Sequence, residues 1–373
     1  MDKTTWQRVK LGEICSTIDY GYTTSATNLN TGVKFLRITD IVPNMINWDS
    51  VPYCEIDFDK KEKYLLEAGD IVIARTGATT GYNKIIKHND FQAVFASYLI
   101  RYKINSNLAN PYFIFYHLQS LAWKGFVEGI IGGSAQPNAN AKQFADFSFP
   151  LPPFETQHKI AEILSSLDDK IDLLHRQNKT LESLALTLFR HTFIENPKRN
   201  EWQIGKLGDY VKIVYGKNLP TKNLLKQGYA VFGGNGKIGY FDKYIYEEPQ
   251  VLISCRGEAS GKVNISERKS FITNNSLILE RTKDEHITFE YLKYWCLSNN
   301  FSTYVSGSAQ PQITIEGLYS ADFLKPNFNV IREFSEIVLS LENKISHNIK
   351  EIQNLESLRD IMLPKLLSGE MEV

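Results

Sequence analysis

The feature that most limits what this chain can fold into is a long internal repeat. Trp6-Gln-Arg-Val-Lys-Leu-Gly12 is echoed by Trp202-Gln-Ile-Gly-Lys-Leu-Gly208, and Tyr20-Gly21 by Tyr215-Gly216. Ile71-Val-Ile-Ala-Arg-Thr-Gly77, followed by Gly81, matches Val251-Leu-Ile-Ser-Cys-Arg-Gly257, followed by Gly261. Gly133-Ser-Ala-Gln-Pro137 returns letter for letter as Gly307-Ser-Ala-Gln-Pro311. From there the copies run 174 residues apart without a gap, through Leu181-Glu-Ser-Leu184 and Leu355-Glu-Ser-Leu358. So ordered a series means that one unit occurs twice and the fold is built from two related halves.

Each unit changes period part-way. In residues 1–153 and 197–327, short runs rich in β-branched and aromatic residues alternate with Gly, Asn and Pro. Residues 35–38, 71–74, 251–254 and 276–279 read as strands, with helical patterns over 112–120 and 289–297. Two globular heads of mixed α/β (α+β) character are therefore expected.

The tails, 154–196 and 328–373, adopt a helical period. Ile160, Leu164, Leu167, Ile171, Leu174, Asn178, Leu181, Ala185 and Leu188 alternate spacings of four and three, the seam of a coiled coil. Phe334, Val338, Leu341, Ile345, Asn348, Ile352, Leu355, Arg359 and Met362 repeat it. Each seam holds one asparagine, which costs stability but fixes register if it is paired across helices; unpaired, it marks an exposed boundary. Asn196-Pro197 is expected to end the first helix, and Pro364 to kink or end the second. A helix of about 35 residues, roughly 50 Å long, exposes its seam when alone. The simplest burial packs the two tails antiparallel, with a head at each end and an approximate internal twofold.

Composition narrows the function classes. At 43% hydrophobic and 23% charged residues the chain is ordinary for a globular protein. Cys15, Cys54, Cys255 and Cys296 form no CxxC pair, and the seven histidines form no HExxH, which argues against disulfide frameworks, zinc knuckles and metal catalysis. The polar N-terminus lacks a secretory signal, and no run approaches the roughly 18 apolar residues of a membrane span, so a cytoplasmic protein is expected. The formal net charge of +0 looks wrong for a nucleic-acid binder. It conceals an asymmetry, with +1 and +4 on the two heads and −2 and −3 on the two helical tails.

With these features in place, the chain resembles the specificity subunit of type I restriction-modification systems over essentially its full length. The residues that carry the resemblance are the Trp-x-x-x-Lys-Leu-Gly openings at Trp6 and Trp202, the run Gly69-Asp-Ile-Val-Ile-Ala-Arg-Thr-Gly77 and the two Gly-Ser-Ala-Gln-Pro loops. Pro150-Leu-Pro-Pro-Phe-Glu-Thr-Gln157, before the first long helix, completes the set. The resemblance implies two target-recognition domains, each reading half of a split site in double-stranded DNA, and a helix pair acting as a ruler between them. It further implies no catalytic site or cofactor on this chain. Two modification subunits would bring S-adenosylmethionine for DNA methylation at adenine, and motor/nuclease subunits would perform restriction. The second copy departs at Lys325-Pro-Asn-Phe328 and Arg332-Glu333, which puts the start of its helix or a partner contact in question.

Base edges are read by side chains, whereas phosphate contacts only position a protein. The candidates are polar residues in glycine-rich loops: Arg75, Thr76, Thr79, Thr80, Tyr82, Asn83 and Lys84 in the first head, and Asn235, Lys237, Arg256, Glu258, Ser260 and Lys262 in the second. Gly77, Gly81, Gly257 and Gly261 fit turn chemistry after a strand. Gly133, Gln136, Gly307 and Gln310 lie in the shared loop. A loop common to both heads cannot distinguish two half-sites, so packing or phosphate contact is expected of it.

Two motifs and one scaffold reading compete with this one. Gly233-Gly-Asn-Gly-Lys-Ile-Gly239 has Ile238 where a phosphate-binding loop needs Ser or Thr, and reads instead as a hairpin or DNA-facing loop. Asn110-Pro-Tyr-Phe113 approximates the motif with which adenine-N6 methyltransferases hold a flipped base. No glycine-rich cofactor fingerprint precedes it, and Pro111 suits the first position of a helix. A non-DNA coiled-coil scaffold fits the seams but leaves two diverged heads without a purpose.

Overall fold

The computed structural model describes residues 6–87, 91–132, 137–282, 284–307 and 310–373. Two long helices, Phe154–Phe189 and Phe328–Leu367, dominate the secondary structure. The chain divides into two units, Met1–His175 with Lys350–Val373, and Arg176–Ile349, so the division falls inside both helices.

The first unit contains a four-stranded antiparallel sheet in the order Cys15–Tyr20, Leu99–Ile104, Ile71–Ala74, Asn83–Ile85. Ile71-Val-Ile-Ala74 is a continuous apolar run because both its faces are covered. Ile71 and Ile73 join Tyr102, Phe113 and Trp123 on one side, and Val72 and Ala74 join Leu36 and Phe95 on the other. A smaller mixed sheet is ordered Ala26–Thr27, Tyr53–Cys54, Val33–Leu36, Gln92–Phe95. A ribbon pairs Gln7–Lys10 with Ser148–Leu151.

The second unit repeats this plan. Its sheet runs Lys212–Tyr215, Ser276–Glu280, Val251–Ser254, Val263–Ile265, again antiparallel throughout, and Gln203–Lys206 pairs with Asp322–Lys325. Val251 and Ile253 pack with Tyr291 and Leu277, while Leu252 faces Phe232 and Ile272. The smaller sheet differs, being the hairpin Tyr229–Gly233 and Gly236–Phe241 with Phe271–Ile272 alongside. The duplication is thus carried by the main sheet, and the divergence by the inserted one.

Most expected elements form within a residue or two. The strand expected at 35–38 instead spans Val33–Leu36, because Arg37 and Asp40 start a helical turn over Ile38–Ile41. Asp40 accepts from both the backbone N–H and the guanidinium of Arg37.

Within each unit the two long helices pack antiparallel. In the first, Ile171 and Leu174 meet Ile352 and Leu355, Asp168 takes Arg359 at 2.9 Å, and Lys170 lies 3.4 Å from Glu351. In the second, Asn178 meets Asn348, and the Phe189 and Phe334 rings lie 5.6 Å apart. All eighteen seam positions, Leu164, Leu167, Leu181, Val338, Leu341 and Ile345 included, are buried or half-buried. Arg359 serves as an ion-pair partner rather than as an apolar knob.

Pro364 does not end its helix, which continues to Leu367. The proline lies in the last turn, where its missing N–H forfeits a single bond, and Leu366 and Leu367 beyond it are anchored in the core of the first head. The second head is completed in the same way by Phe189 and Phe193 of the first helix, the latter on a π-turn at Arg190–Ile194. Each head therefore takes core residues from the helix tail of the other repeat.

The helix starts differ chemically. In the first unit buried Gln157 accepts from Asn110 N at 2.9 Å and donates to Pro152 O at 2.8 Å. In the second, Ile331 takes the equivalent place in the core, and Thr288 and Ser335 hydroxyls meet at 2.6 Å. The altered residues near Phe328 thus replace a polar tie with an apolar one.

Candidate nucleic-acid interface

In each head the central strand runs into a glycine-rich loop that turns back into the next strand. Gly77 (φ +75°) and Gly81 (φ +89°) occupy conformations that side chains resist, as do Gly257 (φ +73°) and Gly261 (φ +91°). Thr80 N donates to Gly77 O at 3.1 Å and Gly81 N to Ala74 O at 2.8 Å, and their counterparts are Ser260 N to Gly257 O at 3.0 Å and Gly261 N to Ser254 O at 2.9 Å. The turn chemistry expected of these glycines is what the backbone adopts.

The glycine-rich loop is latched to the repeated pentapeptide. Gly77 N donates to Pro137 O at 2.9 Å, and Gly257 N to Pro311 O at 3.0 Å. Thr80 Oγ1 lies 3.3 Å from Pro137 O and Ser260 Oγ 3.0 Å from Pro311 O. Ala139 N then bonds Arg75 O, and Ile313 N bonds Cys255 O. Gly133 and Gln136 lie outside the described residues. Gly307 adopts φ +87° and Gln310 is exposed, within a loop closed by reciprocal Ser306 and Gln312 backbone bonds of 2.8 and 2.9 Å. What the latch uses is the proline carbonyl.

These contacts separate the candidate readers. Tyr82, Arg256, Glu258, Asn235, Lys237 and Lys262 are exposed, and Arg75, Thr76 and Thr79 are half-buried. The Arg75 guanidinium lies over the Tyr20 ring, 4.9 Å from its centroid. Lys237 is paired with Glu267 at 3.1 Å and lies over Tyr240. Asn235 occupies the two-residue turn of the Gly233–Gly236 hairpin, so that motif is a hairpin and not a phosphate loop.

Thr80 and Ser260 direct their hydroxyls inward to the latch. Asn83 is buried, donating to Gly81 O and Leu118 O and accepting from Gln119. Lys84 donates to Asn44 O at 2.8 Å, and burial pulls its pKa down against the opposing pull of Asp168 and Asp172. Asn83 and Lys84 are thereby not brought to the exposed rim. Tyr20, Tyr98, Tyr215 and Asn275 are on it, all exposed, and were missed by sequence reasoning. Only the repeated Tyr-Gly pair carried a signal: a Cβ on Gly21 would fall 2.2 Å from Ala96 O and one on Gly216 2.2 Å from Thr273 O.

Burial pushes the Cys15 thiol up to about 12 and that of Cys54 to about 11, far from nucleophilic values. Among the described residues no group of three or more His, Cys, Asp or Glu is placed to hold a metal ion, and no helix is long and apolar enough to cross a membrane.

The profile of the type I restriction modification DNA specificity domain matches residues 3–183 and 199–357. The chain belongs to this family. The two matches place one specificity domain on each repeat, and they take in both heads together with most of each long helix. The specificity subunit of the type I restriction enzyme MjaIX from Methanocaldococcus jannaschii is 26% identical over 367 residues, covering 87% of this chain and 81% of that protein. The HindI specificity subunit of Haemophilus influenzae is 21% identical and covers 98% of this chain and 99% of its own. The crystal structure of a type I restriction-modification S subunit from M. genitalium shares the fold, with a TM-score of 0.63 at 17% identity over 98% of this chain and 97% of that one.

A specificity domain of this kind confers DNA sequence specificity within a type I restriction-modification system, and that is the function of this chain. The methyltransferase alternative finds no support. Asn110 caps the helix Pro111–His117, its side chain accepting from Tyr112 N and Phe113 N at 2.9 and 3.2 Å. Its carbonyl oxygen is committed to that turn.

Proposed function

We propose that each head reads one half of a bipartite site in double-stranded DNA, while the paired helices set the spacer and dock the modification subunits. The observation that carries this reading is the twin rim: two loops held by the same backbone hydrogen bonds carry different side chains at matched places, exposed Tyr82 against exposed Lys262 and half-buried Thr76 against exposed Arg256. A shared frame with changed side chains suits two readers of different half-sites, since half-site arrangement mirrors protein geometry.

In this reading the chain itself is non-catalytic and binds no cofactor. Two modification subunits supply S-adenosylmethionine and methylate adenine, and motor/nuclease subunits cut. Duplex DNA binding should weaken steeply with salt in a gel-shift series. Sequencing methylated adenines in cells that express the chain with its modification partner should return a split motif; methylation at a continuous motif, or at none, refutes the reading. Adding one heptad to each long helix lengthens it by roughly 10 Å, so the preferred spacer should grow by about 2 to 3 base pairs. An unchanged spacer rules out the ruler.

A further inference from the structure

We propose that Tyr98 and Asn275 are paired specificity-determining residues, Asn275 reading an adenine in one half-site and Tyr98 the methyl edge of a thymine in the other. The proposal rests on the reading that the exposed rims contact DNA, and it goes further by naming positions and bases.

The two residues occupy one place in the repeated frame. Arg75 N donates to Tyr98 O at 3.0 Å, and Cys255 N to Asn275 O at 3.0 Å. On the preceding side, Ser97 N bonds Tyr22 O at 3.0 Å and Asn274 N bonds Lys217 O at 3.1 Å. On the following side, Leu99 N bonds Ala96 O at 2.8 Å and Ser276 N bonds Thr273 O at 3.1 Å. Three matched bonds fix both backbones in the same turn, beside the latched glycine loop.

Among the described residues their side chains have no polar partner in the fold. Tyr98 is 60% exposed and Asn275 is exposed, and neither makes a side-chain hydrogen bond to the described residues. A solvated turn makes the same demand in both heads, and a phosphate contact would favour one polar residue in both. An aromatic ring in one head and an amide in the other meets two different demands, as two different base edges would make.

The neighbours agree. Tyr98 borders a rim with Tyr20 41% exposed and Tyr82 50% exposed, and with Arg75 stacked on Tyr20. Asn275 borders the hairpin turn that carries Asn235, where a Cβ added to Gly234 would lie 3.6 Å from Asn275 O. An asparagine amide matches the N6 and N7 pair of adenine, whereas an apolar surface matches the thymine methyl.

The test uses the full chain with its modification partner and reads methylated adenines across a library randomised in both half-sites. Asn275→Ala should relax one adenine position by ~5- to 150-fold, the discrimination of one bidentate pair, and leave the other half-site unchanged. Tyr98→Ala should relax one thymine position in the opposite half-site, and Tyr98→Phe, which keeps the ring, should retain it. Unaltered motifs in Asn275→Ala or in Tyr98→Ala overturn the proposal. So does a uniform loss of methylation in both Asn275→Ala and Asn275→Ser, which marks a structural role. If the wild-type complex reads no bipartite motif at all, the underlying DNA reading fails with it.

Discussion

The Asn348 side-chain amide donates to Asn178 Oδ1 at 2.8 Å inside the helix seam, and both residues are buried. Gln177 Oε1 accepts from the same amide at 2.8 Å. The bond forms only when the two helices meet in one register, because a shift by one heptad would bury Asn178 against Leu341 or Leu355 and Asn348 against Ile171 or Ala185. Replacing Asn348 alone with leucine strands Asn178 in an apolar seam, at a cost of about 1–3 kcal/mol. The double replacement of Asn178 and Asn348 by leucine should recover that loss and exceed the wild type in melting temperature. A double variant no more stable than the single one would show that the pair has no such role.

The rim loops offer a head-by-head control. A Cβ at Gly81 would sit 2.8 Å from both methyls of Val127 on a backbone at φ +89°, and at Gly261 it would sit 3.1 Å from Phe301 and Ser302 backbone atoms at φ +91°. Either alanine should cost about 1–3 kcal/mol in chemical denaturation. Gly81→Ala should degrade recognition of one half-site and Gly261→Ala that of the other. Equal damage to both half-sites by either variant would contradict independent reading heads.

Asn110 separates cap from catalyst. As a helix cap, Asn110→Ala should lower stability by about 0.5–2 kcal/mol and leave methylation by the assembled complex near wild type at permissive temperature. A collapse of methylation with unchanged thermal stability would revive the methyltransferase alternative.

Head one also carries an acid-sensitive group. His117 lies between the Phe113 and Phe149 rings at 4.8 and 4.6 Å, and burial, aided by the Arg8 charge, holds its pKa down at about 3. In the unfolded chain a histidine titrates near 6.5, so there it takes up the proton first. The stabilisation is complete above about pH 6.5 and is lost progressively as pH falls toward 3. Melting temperature should drop between pH 7.5 and 5.5, before most carboxylates titrate, and His117→Phe should flatten that drop. Parallel curves for wild type and variant would exclude the histidine as its source.

Much of this was legible in the sequence because it rests on side-chain pattern. The seams, the strand Ile71–Ala74 and the duplication all follow from the placement of apolar residues. What was hidden depends on backbone groups and on direction. The latch uses the carbonyls of Pro137 and Pro311, which no residue pattern announces. Asn83 looked like a loop amide but points inward to Leu118 O, because it begins the strand Asn83–Ile85 and shares that strand's buried face with Ile85. Tyr98 and Asn275 share no motif, and only matched hydrogen bonds reveal that they are counterparts. Pro364 misled because a turn held from beyond by Leu366 and Leu367 tolerates a proline that an unsupported helix end would not.

The exchange of helix tails has a consequence for biosynthesis. Leu366 and Leu367 belong to the core of a head whose own strands end at Leu151. At about 5–20 residues per second on the ribosome, those strands wait roughly 10–40 s for their last hydrophobic neighbours to be translated. The second head, which receives Phe189 and Phe193 before its own strands emerge, has no such delay. Order of synthesis thus makes the earlier-made reader the later one to mature, and a nascent chain released short of Leu366 leaves it unfinished.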